Sequence, residues 1–348
     1  MEEEIIDQIE DENPPSRYNI TSFGADYDVE GIVSKVGKGK IFIPPFQRNY
    51  VWSIQRASRF IESLILGLPV PGIFLSTDSV TNKLLIVDGQ QRILSLQKFY
   101  SGLFEDGKPF KLKGVVEELE GRTLNDLSEF DRNRLDESIL HATVMKQEEP
   151  DDSESSIYMI FERLNTGGVP LQPQEVRACV FYGDFNEFLC NITENKVWRS
   201  LFTTKNLRMK EEELILRFFA FALDRNQYRG NYKYFLNDFM NTNRNFKKYS
   251  KDMLEEMFVS TLNFVVSALG RNAFKISNQI NAAIYDSVMI GSWELLKKNS
   301  TPDKELFNER YNGLLNSPDY KLYVESTTSG IAAVNGRIQK SIETFTNL

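Results

Sequence analysis

The chain of 348 residues has very little cysteine and histidine, the two side chains on which much metal and acid-base chemistry depends. Its two cysteines, Cys179 and Cys190, match neither a disulfide framework nor the Cys-x-x-Cys spacing of zinc and redox sites. His141 is the single histidine, in a β-like run where we expect a packed or edge residue. Sites that need several imidazoles are therefore excluded, and catalysis would rest on carboxylates, arginines and amides, with or without Mg²⁺.

The sequence also lacks the features of exported and membrane proteins. Its N-terminus is acidic where a signal peptide is basic, and no apolar run approaches the roughly 18 residues of a membrane span. We therefore expect a soluble, cytoplasmic protein with no membrane partner, in a reducing compartment.

Acidic residues exceed basic ones, for a net charge of −8, but the excess is concentrated. Residues 1–16 carry seven acidic side chains and no basic one, so the rest of the chain has a net charge of only −1. Residues 31–113 have a net charge of +7, residues 114–157 of −9 and residues 196–251 of +8. The total charge therefore does not exclude nucleic acid, and residues 196–251 could contact DNA or form solvated helix faces.

Residue patterns predict an α+β fold. Residues 1–16 are predicted to form a disordered acidic tail, and residues 17–170 an α/β domain. Within this domain the patterns predict a helix over 56–66, a hairpin of 72–76 with 84–87, a helix over 90–100 and a strand over 138–146. Residues 171–348 form a helical domain. We expect a small mixed sheet followed by an all-helical C-terminal half.

The first candidate site is the segment from Leu84 to Arg92, a strand that turns directly into a helix. A helix start suits phosphate because its backbone N–H groups lack intrahelical partners. Gly89 would allow close approach of a phosphate, and Arg92 could bind it in bidentate fashion. Asp88 could hold Mg²⁺ or orient a water, while Gln90 and Gln91 could hydrogen-bond a base, sugar or water. The alternative is a capping box, with Asp88 and Gln91 only closing the helix start.

The second candidate is the segment from Ile43 to Trp52, in which two prolines stiffen an extended chain. Its aromatic residues could stack on bases, but we expect them to pack into the core. Gln47 and Arg48 are then the candidates for contacts with bases or phosphates.

The third candidate is the loop Arg163-Leu164-Asn165-Thr166-Gly167-Gly168, at the end of a predicted helix. The glycines alone are typical of a helix C-cap. Together with Arg163, Asn165 and Thr166, a Gly-Gly loop could also form an anion-binding nest.

Taken in order, and followed by Leu171-x-x-x-Glu175-x-Arg177, these segments resemble the N-terminal domain of the GmrSD-type restriction endonucleases, which has a ParB- and sulfiredoxin-like core. The resemblance implies that Asp88 to Arg92 bind and help hydrolyse a nucleoside triphosphate, with Asp88, Gln91 and Arg92 as catalytic residues. It places Gln47 and Arg48 in the matching strand motif and Arg163, Asn165, Thr166 and Gly167 in the matching loop. It also implies a role in bacterial defence against phage or modified foreign DNA.

Many members of this family carry a C-terminal His-Asn-His nuclease domain, but no histidine follows His141 here. We therefore expect a nucleoside-triphosphate-dependent, DNA-interacting component of a restriction or antiphage system, oligomeric and assisted by a partner nuclease subunit. Two alternatives are a stand-alone nickase that uses the same residues and a non-catalytic regulator that binds nucleotide or DNA and recruits a partner.

Overall fold

The chain folds as two compact units. The first comprises Arg17–Leu171 and Ala178–Val180, and the second comprises Met1–Ser16, Gln172–Arg177 and Phe181–Leu348. The computed structural model describes residues 5–6, 19–43, 50–77, 82–104, 107–149, 158–160, 172–202, 208–276, 279–298, 303–325 and 328–347.

A five-stranded mixed sheet forms the centre of the first unit, here called the α/β unit. Its strands are β2 (Asn19–Asp28), β3 (Ile41–Phe42), β4 (Ile73–Thr77), β5 (Leu84–Asp88) and β6 (Ile139–Glu149), in the order β2-β6-β4-β5-β3. The β2–β6 and β4–β5 pairs are antiparallel, and the β4–β6 and β3–β5 pairs are parallel. The expected small mixed sheet is confirmed.

Four helices cover this sheet and each other: α1 (Val29–Gly37), α2 (Ile54–Ile65), α3 (Gln90–Ser101) and α4 (Glu129–Asp136). Ile32 of α1 and Ile93 of α3 are buried against sheet residues such as Ile86. The opposite face of α3 packs against α2 in a second core that includes Phe99 and Ile61. Because α3 is buried on both sides, its first turn is held firmly at the end of β5.

The helix, hairpin and strand predictions for this unit are confirmed, but the expectation for His141 is wrong. Its strand, β6, lies between β2 and β4 and is not at an edge of the sheet. The His141 side chain is 72% exposed and its Nδ1 lies 2.5 Å from Oδ1 of Asp26 on β2. It is exposed because this face of the sheet is open around it.

Ten helices account for most of the described part of the second unit, here called the helical unit. They are α5 (Pro173–Val180), whose last three residues belong to the α/β unit, α6 (Asp184–Ile192), α7 (Lys196–Arg199), α8 (Lys210–Asp224), α9 (Tyr232–Thr242), α10 (Lys251–Leu269), α11 (Ala282–Lys298), α12 (Lys304–Asn316), α13 (Pro318–Glu325) and α14 (Ile331–Thr346). Helix α11 is buried without a break from Ala282 to Ser292, as expected for a helix surrounded by others.

The C-terminal half is mostly helical, but the expectation that it is entirely helical is wrong. A three-stranded sheet joins β1 (Ile5–Ile6), β8 (Gln279–Asn281) and β7 (Lys275–Ile276), and α11 begins at Ala282, directly after β8. Ile5 is 3% exposed and β1 pairs in parallel with β8. Two residues of the segment predicted as a disordered tail are thus in a strand, and the apolar side chain of Ile5 is buried. The rest of residues 1–16 lies outside the described residues.

A buried ionic cluster lies at the centre of the helical unit. Asp286 of α11 accepts hydrogen bonds from Arg217 of α8, at 2.6 and 3.1 Å, and from Arg337 of α14 at 3.2 Å. All three residues are at most 1% exposed, and Arg337 also donates to the hydroxyl of Tyr232. Two arginines share one carboxylate, so the cluster ties three helices together.

One of the described helices is long and apolar enough to cross a membrane, contrary to the sequence-based expectation. It covers Lys251–Asn272 with a mean hydropathy of 1.2. One face of it is buried in the helical unit, through residues such as Leu254, Phe258 and Leu262, whereas Glu255 and Glu256 are exposed. This pattern is that of a helix in the core of a bundle, and it is weak support for a membrane span.

Candidate functional site

The turn between β5 and α3 requires a glycine. Gly89 has a φ of +97°, in the left-handed region that side chains disfavour. A Cβ atom at this position would lie 2.5 Å from Cγ2 of Ile73, a buried residue of β4. The glycine therefore lets the turn between β5 and α3 lie closer to β4 than any other residue would allow.

Gly89 is the N-cap residue of α3 and has no side chain with which to cap it. The capping-box alternative is therefore wrong, because both of its side chains bond elsewhere. The Asp88 carboxylate accepts a hydrogen bond from Nη2 of Arg92 at 2.9 Å. Gln91 Oε1 accepts from the backbone N–H groups of Val51 at 2.9 Å and Trp52 at 3.3 Å. Neither Asp88 nor Gln91 therefore caps the positive dipole end of α3.

Arg92 lies with its guanidinium against this turn. Its side chain is only 13% exposed, and its Nε atom is buried without a hydrogen-bond partner among the described residues. Burial lowers the pKa of Arg92, while the Coulombic attraction and hydrogen bond of Asp88 oppose that shift. A single half-exposed carboxylate thus balances the guanidinium, which retains donor capacity for an anionic ligand.

A protein-built metal site is not supported here. The Asp88 carboxylate is already bonded to Arg92, and the described residues contain no group of three or more His, Cys, Asp or Glu side chains that could hold a metal ion. Mg²⁺ commonly binds through one or two carboxylates together with substrate phosphates. The donors present are therefore suited to phosphate, and to a Mg²⁺ ion only if it arrives on that phosphate.

The segment after residue 49 is tied to the same face of α3. The hydroxyl of Tyr50 lies 2.7 Å from Oγ of Ser95, and Ser95 Oγ also donates to the carbonyl of Gln91. The Lys98 ammonium lies 4.9 Å from the centre of the Tyr50 ring. Tyr50 and Trp52 are partly buried against the α/β core, as expected for these aromatic residues.

Sequence reasoning missed Ser95 and Lys98. A helical repeat could have found both, since residues 91, 95 and 98 recur at the spacing that places side chains on one face of a helix. Gln91 was predicted to be catalytic, and the structure gives its Oε1 a positioning contact with the Val51–Trp52 backbone.

Six other predicted residues cannot be placed. Gln47 and Arg48 lie in residues 44–49, and Arg163, Asn165, Thr166 and Gly167 lie in residues 161–171, both outside the described residues. Within the described chain, the predicted site therefore comprises Asp88, Gly89, Gln90, Gln91 and Arg92.

Comparison with known families assigns this region. Residues 29–182 match the family model described as GmrSD restriction endonuclease, N-terminal domain. The chain carries a GmrSD-type N-terminal domain. The match covers α1 to α4, strands β3 to β6 and the Asp88 to Arg92 segment.

The GmrSD-type domain relates the protein to restriction systems, and therefore to proteins that act on DNA. The match ends at residue 182, so most of the helical unit lies outside it. A comparison of the chain with curated proteins finds no match.

Proposed function

We propose that the GmrSD-type domain binds a nucleoside triphosphate with its phosphates at the start of α3, and that it hydrolyses this nucleotide as the DNA-interacting component of a restriction or antiphage system. The observation that carries the proposal is the tight turn from β5 into α3, with the left-handed Gly89 at its N-cap and the buried Arg92 beside it, whose Nε has no hydrogen-bond partner among the described residues. The family match supports the restriction role.

The chemistry of phosphoryl transfer suits these side chains. Its transition state spreads negative charge over phosphate oxygens, and catalysis depends on positioned donors and cations without needing histidine. In the proposal, the α3 N–H groups and Arg92 bind phosphate oxygens. Asp88 orients Arg92 through their 2.9 Å hydrogen bond and aligns the attacking water. Mg²⁺, when bound with the nucleotide, neutralises phosphate charge.

Gln91 has a positioning role in this proposal. Its bonds to the backbone of Val51 and Trp52 hold the segment that follows Gln47 and Arg48 against α3. Gln47, Arg48 and the residues from Arg163 to Gly167 are proposed to contact the nucleotide from these neighbouring segments. A partner nuclease, an oligomeric assembly and a cytoplasmic location remain predictions.

The direct test is phosphate release from nucleoside triphosphates, with and without DNA. Arg92→Ala should lower the rate roughly 100-fold, as loss of a positioned transition-state donor does. Arg92→Lys should restore part of it, because lysine keeps the charge but not the bidentate fork. Arg122→Ala, which removes an exposed arginine from the same domain, is the control and should leave the rate unchanged.

Nucleotide binding is measured in parallel, because the outcomes separate the alternatives. Binding without hydrolysis would favour a regulator that recruits a partner. Relaxation of supercoiled plasmid that is lost in Asp88→Asn would favour a nickase. If the purified protein neither binds nor hydrolyses any nucleoside triphosphate in the presence or absence of DNA, the proposal is wrong.

A further inference from the structure

The helical unit contains an open cavity of about 510 Å³ between the end of α8, the turn after it, α11 and α14. Apolar atoms of Phe221, Ile290 and Ile331 form part of its wall. Arg225, Arg229 and Glu294 also line it, together with two asparagines, Asn226 and Asn335. The volume is within the range of sites for small organic ligands, and the mixed lining suits one that is partly planar and partly charged.

The two arginines of this cavity differ in burial, since Arg225 is half-buried and Arg229 is exposed. Arg229 donates only to backbone carbonyls, those of Asn226 and Tyr228, and Arg225 forms no ion pair within the described part of the chain. Four other arginines of the unit meet carboxylates at 2.6 to 2.8 Å, in the pairs Arg177–Glu213, Arg199–Glu211, Arg208–Glu175 and Arg217–Asp286. Part of the basic character of residues 196–251 is thus neutralised by carboxylates.

Arg225 carries the cost of partial burial without a close counter-ion. Burial lowers its pKa, and only the more distant attraction of Glu294 opposes the shift. Glu294 itself is bonded to Lys297 at 2.6 Å. An anion bound between Arg225 and Arg229 would provide the counter-charge that the described residues do not.

We propose that this cavity binds the phosphate of a nucleotide unit, with Arg225 and Arg229 holding the phosphate and the apolar wall with its asparagine amides contacting the nucleoside. Guanidinium forks match phosphate in geometry, and the cavity is too large for phosphate alone. The nucleotide unit is either free or part of a DNA strand. The inference does not rest on the α3 site, which belongs to the other unit.

The test uses the full chain carrying Arg92→Ala, so that binding at the start of α3 does not contribute. The probes are inorganic phosphate, a deoxynucleoside monophosphate and a short DNA duplex, measured by calorimetry or fluorescence anisotropy. Arg225→Ala and Arg229→Ala should each weaken binding about tenfold or more, because each removes a charge-assisted hydrogen bond. Arg225→Lys should weaken binding less, because it keeps the charge. Arg310→Ala, at an exposed arginine of α12, is the matched control.

Asn335→Asp is a second variant, at an exposed position of α14, that places a negative charge in the cavity with little effect on folding. It should also weaken binding. Binding of the monophosphate would identify a free nucleotide as the ligand. Binding of the duplex alone would identify DNA, and the slope of the logarithm of the binding constant against that of the salt concentration should then fall by about one unit per arginine removed. If no probe binds, or if the cavity variants and the Arg310→Ala control bind equally, the inference is overturned. Loss of phosphate release in Arg92→Ala tests only the function proposed for the α3 site and not the inference about the cavity.

Discussion

The close approach at Gly89 yields the sharpest stability prediction, because α3 has a left-handed glycine at each end. Gly89 has a φ of +97° and Gly102 a φ of +75°. A Cβ on Gly102 would meet nothing within 4 Å, whereas one on Gly89 would meet Ile73 Cγ2 at 2.5 Å. The two glycine-to-alanine variants therefore share the cost of the backbone conformation and differ in steric overlap.

The magnitudes follow from these two contributions. The left-handed conformation costs an alanine about 1–2 kcal/mol, and this is the whole effect expected for Gly102→Ala. Overpacking against a buried side chain adds about 1–3 kcal/mol, so Gly89→Ala should cost about 2–5 kcal/mol. Ile73 is 1% exposed, and its Cβ would lie 3.0 Å from the new methyl group, so it has little room to move.

Hydrogen exchange read by mass spectrometry separates the two units, which need not unfold together. Protection of peptides from α3 should fall in both variants, by a factor of ten for each 1.4 kcal/mol, and further in Gly89→Ala. Peptides from α8 in the helical unit serve as an internal reference. In an Ile73→Ala background, which removes the opposing methyl group, the cost of Gly89→Ala should shrink toward that of Gly102→Ala. Equal losses of protection in the two single variants would refute the steric argument.

Two further predictions concern charged groups. Asp286→Asn should destabilise the helical unit by about 3–5 kcal/mol, because it removes the charged partner that two buried arginines share. The control in denaturant unfolding is Asp319→Asn, which removes a 72% exposed partner of Lys340 and should cost less than about 1 kcal/mol. Similar losses of stability in the two variants would contradict the importance of the buried cluster. The hydrogen bonds donated by the Thr123 side chain and backbone lower the pKa of Asp126. The stability that they confer is therefore present above the unfolded-state pKa of Asp126 and is lost as the pH falls through its folded-state pKa. NMR titration of Thr123→Val should show a higher pKa for Asp126, and an unchanged pKa would exclude the Thr123 hydroxyl as the main cause.

Much of the α/β unit could be predicted from local patterns. Alternating and continuous apolar runs predict β4, β5 and β6, and the polar stretch between the first two indicates their hairpin, because these signals depend on neighbouring residues alone. The role of Gly89 also follows from the sequence, since a glycine between a strand and a helix is typical of a tight turn.

The partners of the site residues could not be predicted, because they come from distant parts of the chain. Asp88 and Gln91 have the spacing of a capping box, yet Asp88 bonds to Arg92 and Gln91 bonds to backbone 39 and 40 positions earlier. The capping interpretation is wrong because the fold brings the Val51–Trp52 backbone within reach of Gln91. Competition of this kind depends on tertiary packing, which local spacing does not describe.

The basic segment at residues 196–251 shows the same limit for charge. Its net charge of +8 is a property of the sequence, but its arginines reach carboxylates on other helices, as Arg217 reaches Asp286. The charge available to a ligand is therefore smaller than the count suggests.

The sequence by itself determined what chemistry is available to this protein. With one histidine and two cysteines, carboxylates, arginines and amides must carry its chemistry, and the Asp88 to Arg92 segment presents them at a strand-to-helix turn. Tertiary structure alone decided which of these groups have free capacity. Whether an arginine meets a carboxylate or a cavity depends on helices far apart in the chain, because ion pairs and burial are set by packing in three dimensions.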